Sequence, residues 1–399
     1  MAKIYVEDKE DNTRVPFLRG ILIRSLQDSG LSFDTAYELA TEIRDDLDDT
    51  NNTHITNIKL RQRILLLLKD HRAGQDVINR YSKQISPFGI QVEQRDGQVT
   101  PFSRVEYQHC LENIGLTSEE AIAFVTTVHK HLLDRRIEKM TSRHLGELTY
   151  RYLRQSSELG AAVAHRWLIW RSFIKSGKPL IFLIGGTAGC GKSTIATTLA
   201  SRLDIVRTQS TDMLREVMRV MMPKELMPVL HTSSFTAWSA LPGQPKVSQD
   251  VPETLLLNGY RSQADLLAVA IEAVIQRALR EQVSLILEGV HIHPAIMEKL
   301  AKSNDAIVIP VMLGVLKRKQ LQRRIHGRGT SAPQRRGDRY LKHFDEIWRL
   351  QSYLLSEADR ANIPIVVNGS REKVFREIMR HTIETLAVDF DSTAKEVFS

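Results

Sequence analysis

Apolar residues in the second half of the chain follow two alternating patterns, short unbroken runs and longer stretches with helical spacing. The short runs predict strands of a parallel sheet at Leu180–Ile184, Ile205–Gln209, Val283–Leu287, Ile307–Leu313 and Ile363–Val367. Helical spacing predicts helices over Met213–Met222 and Leu266–Glu281, and one more helix with a single stripe formed by Tyr340, Phe344, Ile347 and Trp348. Pro223–Val251 has neither pattern and predicts irregular structure. This alternation is typical of an α/β fold, in which ligands bind at the carboxyl ends of the strands.

The first half of the chain contains an internal repeat. Pro16-Phe17-Leu18-Arg19 returns as Pro101-Phe102-Ser103-Arg104, at the offset of 85 positions that also relates Ile55-Thr56 to Met140-Thr141. Each copy begins with a short alternating segment and a polar turn, which predicts a β-hairpin. Helical patterns follow, in the first copy over Gly20–Ser29, Phe33–Leu47 and Ile58–Lys69. The sequence therefore predicts two small, mostly helical modules at residues 1–88 and 89–175, ahead of a third domain at 176–399.

A glycine-rich stretch joins the first predicted strand of the sheet to a helical pattern. Residues 186–193 fit G-x-x-x-x-G-K-[ST] at every fixed position, and strand, loop and helix in this order are the context that the phosphate-binding motif requires. Glycines let backbone N–H groups surround a polyphosphate, and the helix directs the positive end of its dipole at the same anion. Lys192 supplies a charge for the β- and γ-phosphates, and the Ser193 hydroxyl is a ligand for Mg²⁺. We expect nine consecutive residues to hold the nucleotide: Gly186, Thr187, Ala188, Gly189, Cys190, Gly191, Lys192, Ser193 and Thr194.

Two carboxylates follow predicted core strands and are expected at the sheet edge where the glycine-rich stretch lies. Asp212 and Glu288 can orient Mg²⁺ or accept the proton of an acceptor hydroxyl. The sequence leaves alternatives open, because Asp212 can instead cap the next helix and Glu288 can instead form a salt bridge. His291 and His293 do not predict a metal site, since no cysteine or further histidine lies near them in the sequence.

The positive charge of the chain is concentrated in one segment. The formal net charge of the 399 residues is +8, and Lys317–Arg339 accounts for it with nine Lys/Arg and one acidic residue. Such a local excess between a strand and a helix favours an arginine-bearing lid over an extended nucleic-acid surface, with a solvated basic loop as the alternative. We expect the lid arginines among Arg323, Arg324, Arg335 and Arg336. An anionic acceptor is expected to contact Asp212, Arg215 and the polar, aromatic segment that begins at His231, together with Arg335 and Arg336 of the lid. The alternative for Arg215 is an ordinary surface residue.

The composition and the termini exclude several classes of protein. Hydrophobic residues make up 42% of the chain, an ordinary value for a globular protein, and no apolar run approaches the ~20 residues of a membrane span. The charged first residues lack the apolar centre of a signal peptide. Two cysteines, Cys110 and Cys190, far apart in sequence, argue against a disulfide scaffold. These observations predict a cytoplasmic protein without a membrane partner.

Five stretches of the second half resemble, in order, the 2-phosphoglycerate kinases best known from archaea. They are residues 184–194 (IGGTAGCGKST), 210–218 (STDMLREVM), 230–238 (LHTSSFTAW), 286–291 (ILEGVH) and 339–344 (RYLKHF). The resemblance implies a P-loop kinase fold, ATP with Mg²⁺ or another divalent cation, and phosphorylation of 2-phosphoglycerate, a small phosphorylated acid, to 2,3-bisphosphoglycerate. From the motif, the strand-end carboxylates and the basic segment, we expect catalytic roles for Lys192, Asp212, Glu288, Arg323 and Arg324. The alternatives are a P-loop kinase for another small-molecule or nucleic-acid hydroxyl, and a nucleotide-gated regulatory NTPase, although the sequence lacks an Asn-Lys-x-Asp guanine signature.

Each copy of the N-terminal repeat resembles the ATP-cone, a regulatory nucleotide-binding module of ribonucleotide reductases and some kinases. Val92-Glu-Gln-Arg95-Asp96-Gly97, followed by Phe102, looks like the opening hairpin of that module, whose basic residues help to hold the nucleotide phosphates. The first copy is more acidic at this hairpin and lacks the glycine. Two interpretations stay open: modules that bind a regulatory nucleotide, or structural modules through which the chain forms a homo-oligomer.

Overall fold

The computed structural model describes residues 4–8, 13–49, 54–71, 73–74, 76–78, 81, 90–135, 137–243, 251–301, 306–331 and 337–398. The chain divides into two compact units. The N-terminal unit comprises Met1–Gln108, Glu119–Ser156 and Phe398, and the C-terminal unit comprises His109–Ser118, Ser157–Val397 and Ser399. The domain boundaries at 88/89 and 175/176 stay predictions.

The repeat in the first half of the chain corresponds to two modules with the same order of elements. The first contains β1 (Tyr5–Asp8), β2 (Thr13–Pro16), α1 (Arg19–Asp28), α2 (Phe33–Asp49), β3 (His54–Thr56) and α3 (Asn57–Asp70). The second contains β4 (Gln91–Glu93), β5 (Val99–Pro101), α4 (Arg104–Asn113), α5 (Ser118–Asp134), β6 (Lys139–Thr141) and α6 (Ser142–Gln155). The predicted helices of the first copy and the opening hairpins are confirmed.

A third strand that the sequence pattern did not reveal completes the small sheet of each module. β1 pairs antiparallel with β2 and parallel with β3, and β4 pairs in the same way with β5 and β6. The repeated dipeptide forms this strand: Ile55 lies opposite Val6, and Met140 lies opposite Val92, all four of them buried. The threonine of each dipeptide accepts a backbone N–H from the first turn of α3 or α6 and so caps that helix.

The C-terminal unit contains a five-stranded parallel sheet and its flanking helices, which confirms the predicted α/β class. Its strands are β7 (Leu180–Gly185), β8 (Arg207–Ser210), β9 (Leu285–Gly289), β10 (Ile307–Gly314) and β11 (Ile365–Val367). Its helices in the described residues are α7 (Gly160–Ser176), α8 (Lys192–Leu203), α9 (Thr211–Met221), α10 (Glu253–Arg280), α11 (Pro294–Ala301), α12 (Arg318–Ser331), α13 (Gly337–Lys342), α14 (Phe344–Arg360), α15 (Arg371–Phe390) and α16 (Ala394–Val397).

The strand order places the ligand-binding edge of the sheet next to the glycine-rich stretch. The order is β11-β10-β7-β9-β8, so the first strand of the unit is the central one. Every residue of β7 is buried, which explains its unbroken apolar run. The chain continues from β7 to the β8–β9 side and then crosses to the β10–β11 side, and open α/β sheets bind ligands beyond the strand ends at such a reversal. Gly186 follows β7 directly at this position.

Several predicted elements have different limits in the structure. The second, third and last strands begin at Arg207, Leu285 and Ile365, two residues later than predicted. The helix predicted from Leu266 begins at Glu253, because its first turns are fixed by packing that periodicity does not show: the backbone of Trp238 lies against Gly259, where an added Cβ would be 2.2 Å from the Trp238 nitrogen.

The segment between β10 and β11 also differs from its prediction. Lys317–Arg339 was expected to form an arginine-bearing lid or, alternatively, a solvated basic loop, and its residues Arg318–Ser331 form the helix α12. The predicted stripe from Tyr340 to Trp348 is divided between α13 and α14, because the helix is interrupted at His343. The predicted irregular segment before α10 contains two 3₁₀ turns, Pro228–His231 and Ala237–Ala240.

Candidate active site

The loop between β7 and α8 has a backbone conformation that only glycine adopts easily at three positions. Gly186, Gly189 and Gly191 have φ angles of 138°, 85° and 93°. Space is also restricted: a Cβ on Gly186 would lie 2.5 Å from the carbonyl oxygen of Leu313, and one on Gly191 would lie 2.3 Å from Asn368 Nδ2. The glycines of the motif are therefore required by this loop and not only permitted by it.

Two polar side chains of the loop suit a polyphosphate ligand. Lys192 is only 7% exposed, and its Nζ donates a hydrogen bond to the carbonyl oxygen of Thr187 at 2.8 Å. The Thr187 hydroxyl is buried, and no described residue is its hydrogen-bond partner. Since a buried ammonium and an unpaired buried hydroxyl both favour a nearby anion, the loop fits the triphosphate that its sequence predicts.

A hydroxyl and a carboxylate lie together beside this loop. Glu288 is in β9, opposite Ile184 of β7, and its side chain is largely buried. Ser193 Oγ donates a hydrogen bond to Glu288 Oε1 at 2.9 Å. Mg²⁺ bound to phosphates usually takes only one or two protein oxygens and keeps several waters, so this pair fits such an ion. Among the described residues, no group of three or more His, Cys, Asp and Glu forms a cage for a metal ion.

Asp212 lies in the first turn of α9 and does not cap that helix. Ser210 is the N-cap, and its hydroxyl accepts the N–H of Asp212 at 3.2 Å. The carboxylate of Asp212 is 71% exposed, with one oxygen 3.9 Å from Nε of Arg215. The capping alternative for Asp212 is therefore wrong, and its carboxylate is accessible to a ligand.

Two of the residues expected at the acceptor side, Arg215 and His231, contact backbone carbonyls in the structure. Arg215 donates to the carbonyl oxygens of Leu230 and Thr232, at 3.0 and 3.3 Å. His231 Nε2 donates to the carbonyl oxygen of Met222 at 2.9 Å. Arg215 thus links α9 to the 3₁₀ turn Pro228–His231, and one edge of its guanidinium remains on the Asp212 side.

The basic helix α12 covers the glycine-rich loop with both apolar and charged side chains. A Cβ on Gly189 would lie 2.7 Å from Ile325 Cγ1, so this helix packs directly on the loop. Arg324 donates to the carbonyl oxygen of Asn368 at 2.8 Å, whereas Arg323 is exposed. Arg335 and Arg336 lie outside the described residues. Of the expected lid arginines that the structure describes, Arg324 is the one brought to the loop.

Asn368 is a site residue that the sequence analysis missed. It directly follows β11, and its Nδ2 donates to the carbonyl oxygen of Cys190 at 2.7 Å. Its backbone N–H donates to the carbonyl oxygen of Gly314 at the end of β10. The position of a polar residue directly after the last predicted strand was the available signal, because that position lies at the same sheet edge as the loop.

A second missed contact joins the basic segment to the acceptor side. Arg339 donates to the Ser233 hydroxyl at 3.2 Å. The ring of Phe235 lies 5.5 Å from those of both Tyr340 and His343, measured between centroids. The start of α13 and the residues after it therefore contact the polar, aromatic segment that the sequence had suggested for an acceptor.

His291 is completely buried near these groups. Burial lowers its pKa from 6.5 to about 4, while the Asp212 carboxylate acts in the opposite direction. The imidazole is therefore neutral at physiological pH, and its two nitrogens serve as one hydrogen-bond donor and one acceptor.

Curated relatives identify the family. A 2-phosphoglycerate kinase of Pyrococcus furiosus is 36% identical over 302 residues, which are 74% of this chain and 96% of that protein. A 2-phosphoglycerate kinase of Pyrococcus horikoshii is 34% identical over 74% of this chain and 95% of that protein. This chain belongs to the 2-phosphoglycerate kinase family. The resemblance read from the five sequence stretches is confirmed.

Membership of the 2-phosphoglycerate kinase family makes the chain a phosphotransferase with a hydroxyl group as acceptor. A third relative, the 2-phosphoglycerate kinase of Methanopyrus kandleri, is 31% identical over 73% of this chain and 86% of that protein. A solved shikimate kinase of Acinetobacter baumannii with bound shikimate matches 55% of this chain and 98% of its own, at 14% identity and a TM-score of 0.29. No protein-family model matches the chain. None of the described helices combines the length and the apolar character needed to cross a membrane.

Proposed function

We propose that the chain transfers the γ-phosphoryl group of ATP to the free hydroxyl of 2-phosphoglycerate, giving 2,3-bisphosphoglycerate and ADP. The acceptor oxygen forms a bond to the γ-phosphorus, the bond from that phosphorus to the β–γ bridging oxygen breaks, and the hydroxyl proton passes to a base. The observation that carries the proposal is the buried Lys192 ammonium inside the glycine loop, for which no described carboxylate is a partner. A buried cation of this kind is stabilised by a bound anion.

The nucleotide side is formed by residues 186–194 together with Glu288. Backbone N–H groups of the loop and Lys192 would hold the phosphates, and the Ser193 hydroxyl with the Glu288 carboxylate would hold Mg²⁺. The ion supplies neutralisation of phosphate charge when it is bound. Arg324, which already contacts the β11 end, would approach the transferring group from α12, and we assign Arg323, Arg335 and Arg336 to the same lid.

The acceptor side is formed by the start of α9 and the segment that it contacts. The exposed Asp212 carboxylate would accept the hydroxyl proton or contribute to Mg²⁺ binding, and Arg215 and His231 would contact the acid or phosphate of the acceptor. The acceptor itself is inferred from the relatives, which are 2-phosphoglycerate kinases.

The test is a rate measurement with purified full-length chain, Mg²⁺ and ATP, in which ADP release is followed with and without acceptor. We expect 2-phosphoglycerate to stimulate ADP release and to be converted to a bisphosphate in a one-to-one ratio with ADP. The control acceptors are 3-phosphoglycerate, glycerate and a 5′-hydroxyl oligonucleotide. Stimulation by one of these controls instead of 2-phosphoglycerate would overturn the acceptor assignment. ATP hydrolysis that no acceptor stimulates would indicate a regulatory NTPase.

We also propose that residues 1–88 and 89–175 are ATP-cone-like modules ahead of a kinase domain at 176–399. Their shared strand register and capped helices support a duplicated module. The variant Lys192→Met should weaken ATP binding at the kinase site and leave the modules unchanged, so a component of ATP binding whose affinity is the same in this variant, by calorimetry, would belong to the modules. Loss of all ATP binding would indicate that the modules have only a structural role. Sedimentation of the same sample would show whether the chain is a homo-oligomer.

A further inference from the structure

One segment at the acceptor side is held by side chains from neighbouring helices. It consists of the 3₁₀ turn Pro228–His231 and the following Thr232, which we call the 228–232 segment. From α9, Arg215 donates to the carbonyl oxygens of Leu230 and Thr232. A short turn of this kind has little hydrogen bonding of its own, so such contacts determine where it lies.

A buried chain of hydrogen bonds reaches the same segment from the other side. The amide nitrogen of Gln263, in α10, donates to the carbonyl oxygens of Val229 and Thr232 at 2.6 and 3.1 Å. These two acceptors fix the orientation of the amide, so its oxygen accepts a hydrogen bond, from His291 Nε2 at 2.9 Å. His291 therefore carries its proton on Nε2, and its bare Nδ1 accepts from the Thr211 hydroxyl at 3.0 Å. Gln263 Oε1, the two ring nitrogens of His291 and the Thr211 hydroxyl therefore all have hydrogen-bond partners.

Thr211, at the far end of this series of hydrogen bonds, packs on the sheet. Thr211 is fully buried and packs on β9, where a Cβ added to Gly289 would lie 1.7 Å from its Oγ1. Gly289 follows Glu288, and Thr211 precedes Asp212. The hydrogen bonds from Thr211 through His291 to Gln263 therefore connect the neighbours of Asp212 and Glu288 with the 228–232 segment.

We propose that His291 is a positioning residue that keeps the 228–232 segment in register with the start of α9, by way of Thr211 and Gln263. It acts through these neighbours and not by contact with the acceptor. The part that concerns acceptor binding rests on the proposed function. The partners of the two ring nitrogens of His291 are Thr211 and Gln263, which lead to the start of α9 and to the 228–232 segment. Loss of these hydrogen bonds should therefore weaken acceptor binding and leave ATP binding unchanged.

The test compares the removal of the Thr211 hydroxyl with the removal of another buried hydroxyl in the same unit. Thr211→Val removes the donor to His291 at almost constant volume, and Thr211→Ser retains it. Thr382→Val is the control, because Thr382 is also fully buried but donates only to Ile378 of its own helix, at 2.9 Å. All three variants are made in the full chain.

The first measurement is amide hydrogen exchange of residues 226–240 without any ligand. We expect roughly tenfold faster exchange there in Thr211→Val, since an unpaired buried acceptor favours local opening, and unchanged exchange in Thr211→Ser and Thr382→Val. The second is steady-state kinetics, in which Thr211→Val should raise the acceptor KM roughly tenfold and keep the ATP KM within about twofold.

Exchange of 226–240 that stays at the wild-type rate in Thr211→Val would overturn the inference. Faster exchange spread over the whole unit, or an ATP KM that rises with the acceptor KM, would also overturn it by showing a general loss of stability. The exchange measurement needs no acceptor, so it decides the positioning role even if 2-phosphoglycerate is not turned over. In that case only the proposed function fails.

Discussion

Acidification should destabilise the C-terminal unit through the fully buried imidazole of His291. Burial lowers the pKa of this group from 6.5 to about 4 in the folded chain. The unfolded chain regains the ordinary value, so between about pH 6.5 and about pH 4 it binds more protons than the folded chain. The free energy of unfolding should therefore fall as the pH falls through this window, and this group should contribute no pH dependence above it.

The size of the effect follows from the two pKa values. One unit of difference corresponds to about 1.4 kcal/mol, so the full contribution is about 3 kcal/mol and is lost below the folded pKa. By about pH 5 the imidazole of the unfolded chain is almost fully protonated and that of the folded chain is not, and about 2 kcal/mol is lost. This is a large fraction of the 5–15 kcal/mol that typically stabilises a folded protein.

The assay is urea unfolding followed by tryptophan fluorescence between about pH 7.5 and about pH 5. All four tryptophans, Trp167, Trp170, Trp238 and Trp348, belong to the C-terminal unit, so the signal reports the unit that contains His291. The variant His291→Gln lacks the titrating group and has all other histidines in common with the wild type. The wild type should lose about 2 kcal/mol more than the variant across this range. Parallel pH dependences of the two proteins would refute the reasoning.

The glycine-rich loop and the neighbouring Glu288 allow three more predictions. Lys192→Met should reduce turnover roughly a hundredfold or more, because a charge aimed at the phosphates is lost, with a nearly unchanged Tm without ligand; complete unfolding of the variant would contradict this role. Glu288→Gln keeps the shape of the side chain and removes its charge, so the Mg²⁺ concentration for half-maximal rate should rise roughly tenfold, and an unchanged Mg²⁺ titration would argue against the proposed ligand. Gly189→Ala places a Cβ 2.7 Å from Ile325 at a φ of 85°, and should lower ATP affinity measured by calorimetry. Gly177→Ala, at a φ of 67° with open space around it, is the control that should bind ATP normally.

The central strand, the glycine loop and the helix after it could be predicted from the sequence because each has a strong local signal. β7 is buried on both faces and so reads as an unbroken apolar run, and three positions of the loop require glycine for backbone reasons. The third strand of each N-terminal module has only three residues, too few to show a period, and its pairing with β1 or β4 is a contact between distant parts of the chain.

The arrangement around the loop could not be predicted, for a similar reason. Nothing local distinguishes Asn368 from other polar residues after a strand, and its contact with Cys190 spans 178 positions. His291 reads in sequence as half of a pair with His293, yet its partners are Thr211 of α9 and Gln263 of α10. Periodicity assigns residues to elements, whereas these hydrogen bonds depend on how elements pack.

The bond from Asn368 to Cys190 has a consequence for the order in which the molecule becomes functional during synthesis. The loop leaves the ribosome long before the residue that braces it, and at 5–20 residues per second the delay is roughly 10 to 35 s. A nascent chain that ends before Asn368 would carry the complete glycine motif without its brace. Chains that end before Asn368 should therefore retain nucleotide poorly.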